Sequence, residues 1–209
     1  MTALIIKVLL SYLLGSVSGS LLIGRIRKVD IRGQGSGNAG GTNAFRTQGL
    51  VFALGVVLID VGKGVVAAGL IPQLDIGGTT QLVTPQSLAM ICGFAAVVGH
   101  CFPVWHGFRG GKGAAAAVGA IIVIEPWILL PLVITWLVTL IITGYVGLST
   151  VLAGFSLVPA AWAMNENPLM IFSIILAVFL LFTHRDNMRR LRDGTEYRFE
   201  RIHIFSRRQ

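Results

Sequence analysis

Ionisable side chains are scarce in this 209-residue chain, at 12% charged against 54% hydrophobic, and its mean hydropathy is +0.78. That balance excludes an ordinary water-soluble domain, in which about a quarter of residues are charged, and makes lipid the main solvent. Cysteine is equally rare. Cys92 and Cys101 are the whole complement, and their spacing on one helix would separate them by roughly 13 Å, too far for a disulfide. Acidic residues are outnumbered, 9 against 17 Lys and Arg, for a net charge of +8. The cations sit in short segments flanking apolar runs, so no basic face for nucleic acid can be assembled, and anionic lipid or an anionic substrate is the better partner. Metal-ligand clusters are missing too. His100, His106, His184 and His203 have no carboxylate or thiol set at ligand spacing, so no metal is expected. There is no GxSxG elbow.

What is present is a series of apolar runs near residues 3–24, 49–72, 84–104, 113–124, 127–145, 148–164 and 168–183. Seven spans of about 20 residues would use roughly 140 residues, which leaves room for one all-helical membrane domain over residues 1–209 and for no second one. The fourth run would reach only about 18 Å as a helix, against about 30 Å of hydrocarbon. It is a half-span, or the loop before it dips into the membrane.

Charge sets the orientation. Segments 73–83, 125–126 and 165–167 carry Asp75, Glu125 and Glu166 and no Lys or Arg. On the other side lie Arg25, Arg27, Lys28, Arg32 and Arg46, then Arg109 and Lys112, then a tail rich in arginine. Loops kept in the cytoplasm retain Lys and Arg, so the N-terminus is expected outside and the C-terminus in the cytoplasm. Lys7 and Lys63 are the exceptions. The basic residues after the first run also favour a retained helix over a cleaved signal. Within that run Gly15 and Gly19 form a GxxxG face suited to close packing inside the bundle.

The informative polar segments all fall on the cytoplasmic side. Gly35 to Arg46 reads GSGNAGGTNAFR: glycines let backbone amides converge on an anion, and Ser36, Asn38, Thr42 and Asn43 add donors. Arg46 supplies a forked charge suited to phosphate. A flexible glycine-rich connector would have the same composition. Gly99 to Gly113 reads GHCFPVWHGFRGGKG, and Lys112 stands just before an apolar helix, where free amides and a cation can meet a phosphate. A basic interfacial turn would look alike. It is not a Walker A loop, because His106 stands where its first Gly belongs and Gly113 where its hydroxyl belongs. His184 to Asn187, HRDN, closes the last run with DGTEYR beyond it at Asp193 to Arg198. His184 can be a base, a phosphate donor or simply a dipole partner at a helix end. Asp60 and Lys63, at i and i+3 inside the second run, are expected to pair toward the interior, since each would cost roughly 2.5–3.5 kcal/mol alone at mid-membrane.

Taken together these segments resemble the bacterial acyl-phosphate:glycerol-3-phosphate acyltransferase family of integral membrane enzymes. The resemblance rests on GSGNxGxTNxxR at Gly35 to Arg46, DxxKG at Asp60 to Gly64, GHxFPVxxxFxGGKG at Gly99 to Gly113 and HRxN at His184 to Asn187. The HxxxxD pair of the unrelated glycerolipid acyltransferases is absent, since Trp105, Gly111 and Arg189 stand where its Asp would be. The resemblance implies transfer of a fatty acyl group from acyl-phosphate to the sn-1 hydroxyl of glycerol 3-phosphate, at the cytoplasmic face of the bacterial inner membrane, by a monomer without cofactor. It implies catalytic roles for Ser36, Arg46, Lys112, His184 and Asn187. Substrate-binding roles fall to Gly35, Asn38, Thr42, Asn43, His100, Gly110, Gly111 and Gly113. This chain departs from the family in having Arg109 for Lys, Ala116 for Thr, and Tyr145-Val146-Gly147-Leu148 for YxSL. A transporter is the rival expectation, since anion pockets and intramembrane charges occur there as well.

Overall fold

The computed structural model describes residues 1–76 and 83–199, and among these it contains ten α-helices and no strand. Part of the loop at 73–83 lies outside the described residues, as do His203, Arg201, Arg207 and Arg208 of the tail. The chain divides into two compact units, Met1–Glu125 and Pro126–Gln209.

The first unit holds α1 (Thr2–Gly15), α2 (Gly19–Arg27), α3 (Gly41–Gln48), α4 (Leu50–Gly69), α5 (Pro85–Cys101) and α6 (Ala114–Ile124). The second holds α7 (Leu129–Thr143), α8 (Val146–Ala163), α9 (Asn167–Thr183) and α10 (Arg185–Arg192). Breaks fall where the sequence offers glycine or a capping side chain. Gly49 at φ +82° separates α3 from α4, and Gly144 at φ +75° ends α7. Thr84 caps α5 by accepting the Ser87 amide at 3.1 Å, with Pro85 in the first turn.

Each of the seven apolar runs is helical, but they are unequal. Leu50–Gln73, Pro85–His106, Pro126–Thr143 and Val146–Ala163 are long and apolar enough to cross a membrane. Two bent pairs qualify only when each is taken as one span: α1 with α2, bent by 41°, and α9 with α10, bent by 57°. The fourth run is an 11-residue helix, α6, about 16 Å long and well short of the hydrocarbon thickness.

Packing in the first unit depends on small residues, as it must where lipid tails are as apolar as the side chains. Helix α4 lies against α6, α5, α3, α2 and α1, and α1 also lies against α5. A Cβ on Gly64 would collide with the Ala116 carbonyl, and one on Gly119 with the Val61 carbonyl, so α4 and α6 touch backbone to backbone. Gly15 meets Ala96, and Gly99 meets Tyr12, in the same way across α1 and α5. The expected GxxxG face is therefore split. Gly15 packs on α5, whereas Gly19, beyond a break at Ser16–Ser18, packs on Val56 and Ile59 of α4. Ser16 turns its hydroxyl back to the Tyr12 carbonyl at 2.9 Å, the local competition with helix hydrogen bonds that serine favours.

Lys7, one exception to the charge pattern, is buried and donates to the Pro72 carbonyl at 2.7 Å, so it serves the end of α4 and not a lipid headgroup. Cys92 and Cys101 are buried and unbridged on α5, as their spacing requires. In the second unit α8 packs between α7 and α9 over Leu157, Leu169, Leu176 and Ala177. The face of α7 bearing Leu130, Val133, Ile134, Leu137, Val138 and Ile142 is exposed, an apolar surface appropriate to lipid contact.

Candidate active site

The first glycine loop is organised by its own asparagine. Asn43, 1% exposed, donates from Nδ2 to the carbonyls of Ile31 and Gln34, both at 3.0 Å, and its Oδ1 accepts the Ser36 amide at 2.9 Å. Gly35, at φ +56°, leaves no room for a Cβ beside Asn43 Oδ1. The hydroxyl of Ser20 ties down the far side through the Ala39 carbonyl at 2.8 Å. Asn43 thus holds the loop, while Ser36 is exposed and Asn38, Thr42 and Arg46 are half-buried. Helix α3 begins at Gly41 with no side-chain cap, so its first amides point to a place suited to an anion. Thr42 and Arg46, four residues apart, share one face of that helix.

The second glycine loop folds back on α5. The Gly110 amide donates to the Cys101 carbonyl at 3.2 Å and the Gly111 amide to the His100 carbonyl at 3.1 Å. Those two amides therefore satisfy the end of a helix. Helix α6 starts without a side-chain cap, entered through Gly113 at φ +89° with Lys112 beside it, the arrangement of free amides and a cation expected there. A Cβ on Gly111 would collide with His100 Nε2, and one on Gly110 with the His100 carbonyl. Glycine here permits close approach to a buried imidazole.

Behind His100 lies a charge cluster that the sequence located only in part. Lys63 and Asp60 form the expected pair at 3.0 Å, 3% and 1% exposed at their side chains. Lys63 Nζ also lies 2.7 Å from the Val17 carbonyl and 2.8 Å from His100 Nδ1. Asp60 Oδ1 accepts the Gly19 amide at 3.2 Å. The break between α1 and α2 supplies both backbone groups, because it frees a carbonyl and an amide that a continuous helix would have consumed.

Arg32, read from sequence only as a cytoplasmic charge, joins the two loops. Its Nη1 donates to the carbonyls of His106 and Arg109 at 3.3 and 3.4 Å. Asp30 steadies the guanidinium from the other side at 2.7–3.1 Å. The side-chain hydrogen bond from Arg32 holds the Asp30 carboxyl below the usual carboxylate range, and the same bond raises Arg32. The pair is half-exposed and contributes little to overall stability. Arg32→Ala is accordingly expected to leave the melting temperature nearly unchanged. It should raise KM on the order of 5- to 10-fold, the loss of about 1 kcal/mol of loop alignment. Thermal unfolding and steady-state kinetics on the same preparation check both halves.

In the second unit the HRDN and DGTEYR segments meet. Asn187 donates to Glu196 Oε1 at 2.6 Å, and Arg190 Nε donates to Glu196 Oε2 at 2.7 Å. Arg198 donates to the Thr143 carbonyl at 3.0 Å, and the Phe199 amide to that of Gly144 at 2.9 Å, which folds the tail onto the turn between α7 and α8. The departure at Gly147 is explained here: a Cβ would stand 2.8–2.9 Å from Asn187 Cβ, Cγ and Nδ2. The neighbouring hydroxyls of Ser149 and Thr150 donate within α8 to the carbonyls of Tyr145 and Val146. His184 is buried at the bend between α9 and α10, with Nδ1 2.8 Å from the Leu180 carbonyl. A carbonyl can only accept, so Nδ1 carries the proton in that hydrogen bond.

Within the first unit, then, the structure places the Ser36–Arg46 and Gly110–Gly113 loops beside the Arg32 strut, and in the second unit His184 and Asn187 at the kink ending α9. Glu196 and Arg32 are the participants a motif reading passes over. Glu196 lay in plain view within DGTEYR, but nothing in spacing alone pairs it with Asn187. No cluster of metal-binding side chains occurs among the described residues.

Residues 5–194 match the family model described as glycerol-3-phosphate acyltransferase. The chain is 36% identical to the glycerol-3-phosphate acyltransferase of Chlorobium luteolum over 95% of its own length and 97% of that protein's. It is 37% identical to that of Chlorobaculum tepidum, over 91% and 94%. Its fold is similar to the crystal structure of PlsY, an integral membrane glycerol 3-phosphate acyltransferase in its glycerol 3-phosphate form. That match has a TM-score of 0.82 and 30% identity, and it covers 94% of this chain and 95% of the other. The glycerol 3-phosphate and lysophosphatidic acid forms of that enzyme align about equally well, at TM-scores of 0.82 and 0.81. An all-helical membrane architecture, two glycine loops with cations beside uncapped helix starts, and these full-length matches lead to one conclusion: the chain belongs to the glycerol-3-phosphate acyltransferase family.

Proposed function

We propose that this protein acylates glycerol 3-phosphate, taking the acyl group from acyl-phosphate and placing it on the sn-1 hydroxyl to give lysophosphatidic acid and inorganic phosphate, the first acylation of phospholipid synthesis. The observation that carries this reading is the Arg32 strut, which sets two glycine loops side by side. Each loop leads to an uncapped helix start and a cation, Arg46 on α3 and Lys112 before α6. Two phosphorylated substrates call for two such pockets.

Ser36, Arg46 and Lys112 of the first unit, and His184 and Asn187 of the second, are the residues assigned to catalysis. Asn38, Thr42, His100 and the glycines at 35, 110, 111 and 113 shape substrate binding, with Asn43 holding its loop. Residues 1–209 act as a single catalytic domain, monomeric and without cofactor. Seven membrane segments, the short α6 among them, put the N-terminus outside and the active side in the cytoplasm of a bacterial inner membrane. A reporter fused at Gln209 and active only outside the cell would overturn that topology. The decisive assay is purified protein in detergent with acyl-phosphate and glycerol 3-phosphate. Product formation with no bilayer to cross supports the enzyme, and its absence in protein that moves substrate across vesicles supports the rival transporter.

In the reaction the glycerol oxygen attacks the acyl carbon, the carbon–oxygen bond to phosphate breaks, and the hydroxyl proton must go to an acceptor. Phosphate departs readily and has a second pKa of about 6, so a substrate phosphate oriented by Arg46 and Lys112 can take that proton. His184 and Asn187 then serve to position substrate by hydrogen bonds. His184→Gln, which keeps a hydrogen-bonding group without basicity, should retain substantial activity. A loss of about 10²- to 10⁴-fold in kcat at unchanged KM would instead make His184 the general base.

A further inference from the structure

Asp60 and Lys63 have no part in the acyl-transfer roles assigned so far, and their contacts with His100, assigned above to substrate binding, indicate which of its nitrogens carries a proton. An ammonium has three N–H donors and no acceptor. Lys63 Nζ has three acceptors at bonding distance: the Val17 carbonyl at 2.7 Å, His100 Nδ1 at 2.8 Å and Asp60 Oδ1 at 3.0 Å. The carbonyl and the carboxylate can only accept, so the third N–H is directed at Nδ1. A proton on Nδ1 would set two donors against each other at 2.8 Å. Asp60 Oδ1, at 3.4 Å from Nδ1, is the poorer partner, and it is already shared with Lys63 and the Gly19 amide. That amide opens α2, whose positive end favours a carboxylate there. Nδ1 therefore presents a lone pair, which places the ring proton on Nε2. Nε2 is the atom packed against Gly111, in the loop that leads to Lys112.

We propose that Asp60 and Lys63 are positioning residues that lock His100 as its Nε2–H tautomer, so that His100 meets substrate as a hydrogen-bond donor to a phosphate or acyl oxygen at the Gly110–Gly113 loop and is barred from acting as a base. The assignment rests on the acyl-transfer reading for the identity of the oxygen, but the tautomer itself does not. It also separates the two buried histidines. At His184 Nδ1 faces a carbonyl and carries the proton, whereas at His100 Nδ1 faces an ammonium and carries none.

Nitrogen NMR on the full chain in detergent, labelled at histidine and without substrate, reads the tautomer directly. His100→Gln identifies the His100 signal by its loss. A pyridine-like Nδ1 and a pyrrole-like Nε2 at His100 are expected, and the reverse pattern would overturn the proposal. Lys63→Met leaves Asp60 a buried lone charge, and that single variant can fail to fold, so the paired variant Asp60→Asn with Lys63→Met removes both charges together. It should release the tautomer lock and lower kcat at least 10-fold with little change in KM. An unchanged His100 signal in the folded pair would refute the lock. In kinetics, His100→Gln keeps a donor near the Nε2 position and should retain at least a tenth of wild-type kcat, while His100→Glu, an acceptor only, should not. Equal loss in both variants would refute donation. If the protein proves not to acylate glycerol 3-phosphate at all, the kinetic arm is silent about His100 and the acyl-transfer reading itself fails, whereas the spectroscopic arm still decides the tautomer.

Discussion

Lys112→Ala and Arg46→Ala are each expected to reduce kcat/KM by at least about 10²- to 10³-fold, the loss typical when one preorganised group facing developing charge is removed. Both cations are only half-buried and lie at helix ends. Lys112 lies in the turn before α6, and Arg46 in the last turn of the short α3. Folding should therefore survive, and an unchanged melting temperature alongside the kinetic loss separates chemistry from collapse. Conservative changes sharpen the test. Arg46→Lys keeps charge but loses the planar fork that matches phosphate, so it should recover only part of the activity, while Lys112→Arg tests whether the turn has room for a larger head. Either alanine variant with near-normal kcat and KM would remove that pocket from the active site.

Gly111→Ala is expected to have a comparable effect for a different reason. One added methyl group would overlap His100 Nε2, and the imidazole cannot simply swing aside. It is 3% exposed, held at Nδ1 by Lys63, and its own carbonyl is tied to the Gly111 amide. Either the loop lifts, carrying Lys112 off the start of α6, or His100 is driven into the buried charge cluster. Both routes misplace a group next to the reaction, where an error of about 1 Å can cost 10²-fold. The variant should show reduced kcat and a modest fall in melting temperature. Gly107→Ala makes the control, because Gly107 is exposed with open space around it, and its φ of +63° adds only local strain. Wild-type turnover by Gly111→Ala would mean that the close approach to His100 has no bearing on function.

The solvent for this chain was legible from composition, and so were its helices, because long apolar runs of this kind leave the backbone no other way to satisfy itself in lipid. The segments proposed to carry the chemistry were legible as well: glycine next to Arg, Lys or His is conspicuous in a chain so poor in polar residues. Spacing along one helix was enough to forecast the Asp60–Lys63 pair and to exclude a disulfide between Cys92 and Cys101, since those relations are local and follow from helix geometry alone.

Relations between elements were not accessible in that way. The sequence could not say that the first run breaks at Ser16–Ser18, since serine and glycine are tolerated in helices and also end them, and the choice was made by Lys63 and Asp60 docking on Val17 and Gly19. Asn43 reads from sequence as a donor for an anion, and only the carbonyls of Ile31 and Gln34 folded around its amide show that it braces its loop. Gly147 looked like a missing hydroxyl until Asn187 filled its place. Sequence by itself determined the solvent, the helices and the chemical vocabulary of the loops, because each depends on residue type and short-range periodicity. Which side chains hold the fold and which are left facing a substrate was decided by tertiary structure alone, because a hydrogen-bonding group's role depends on whether another part of the chain has already used it.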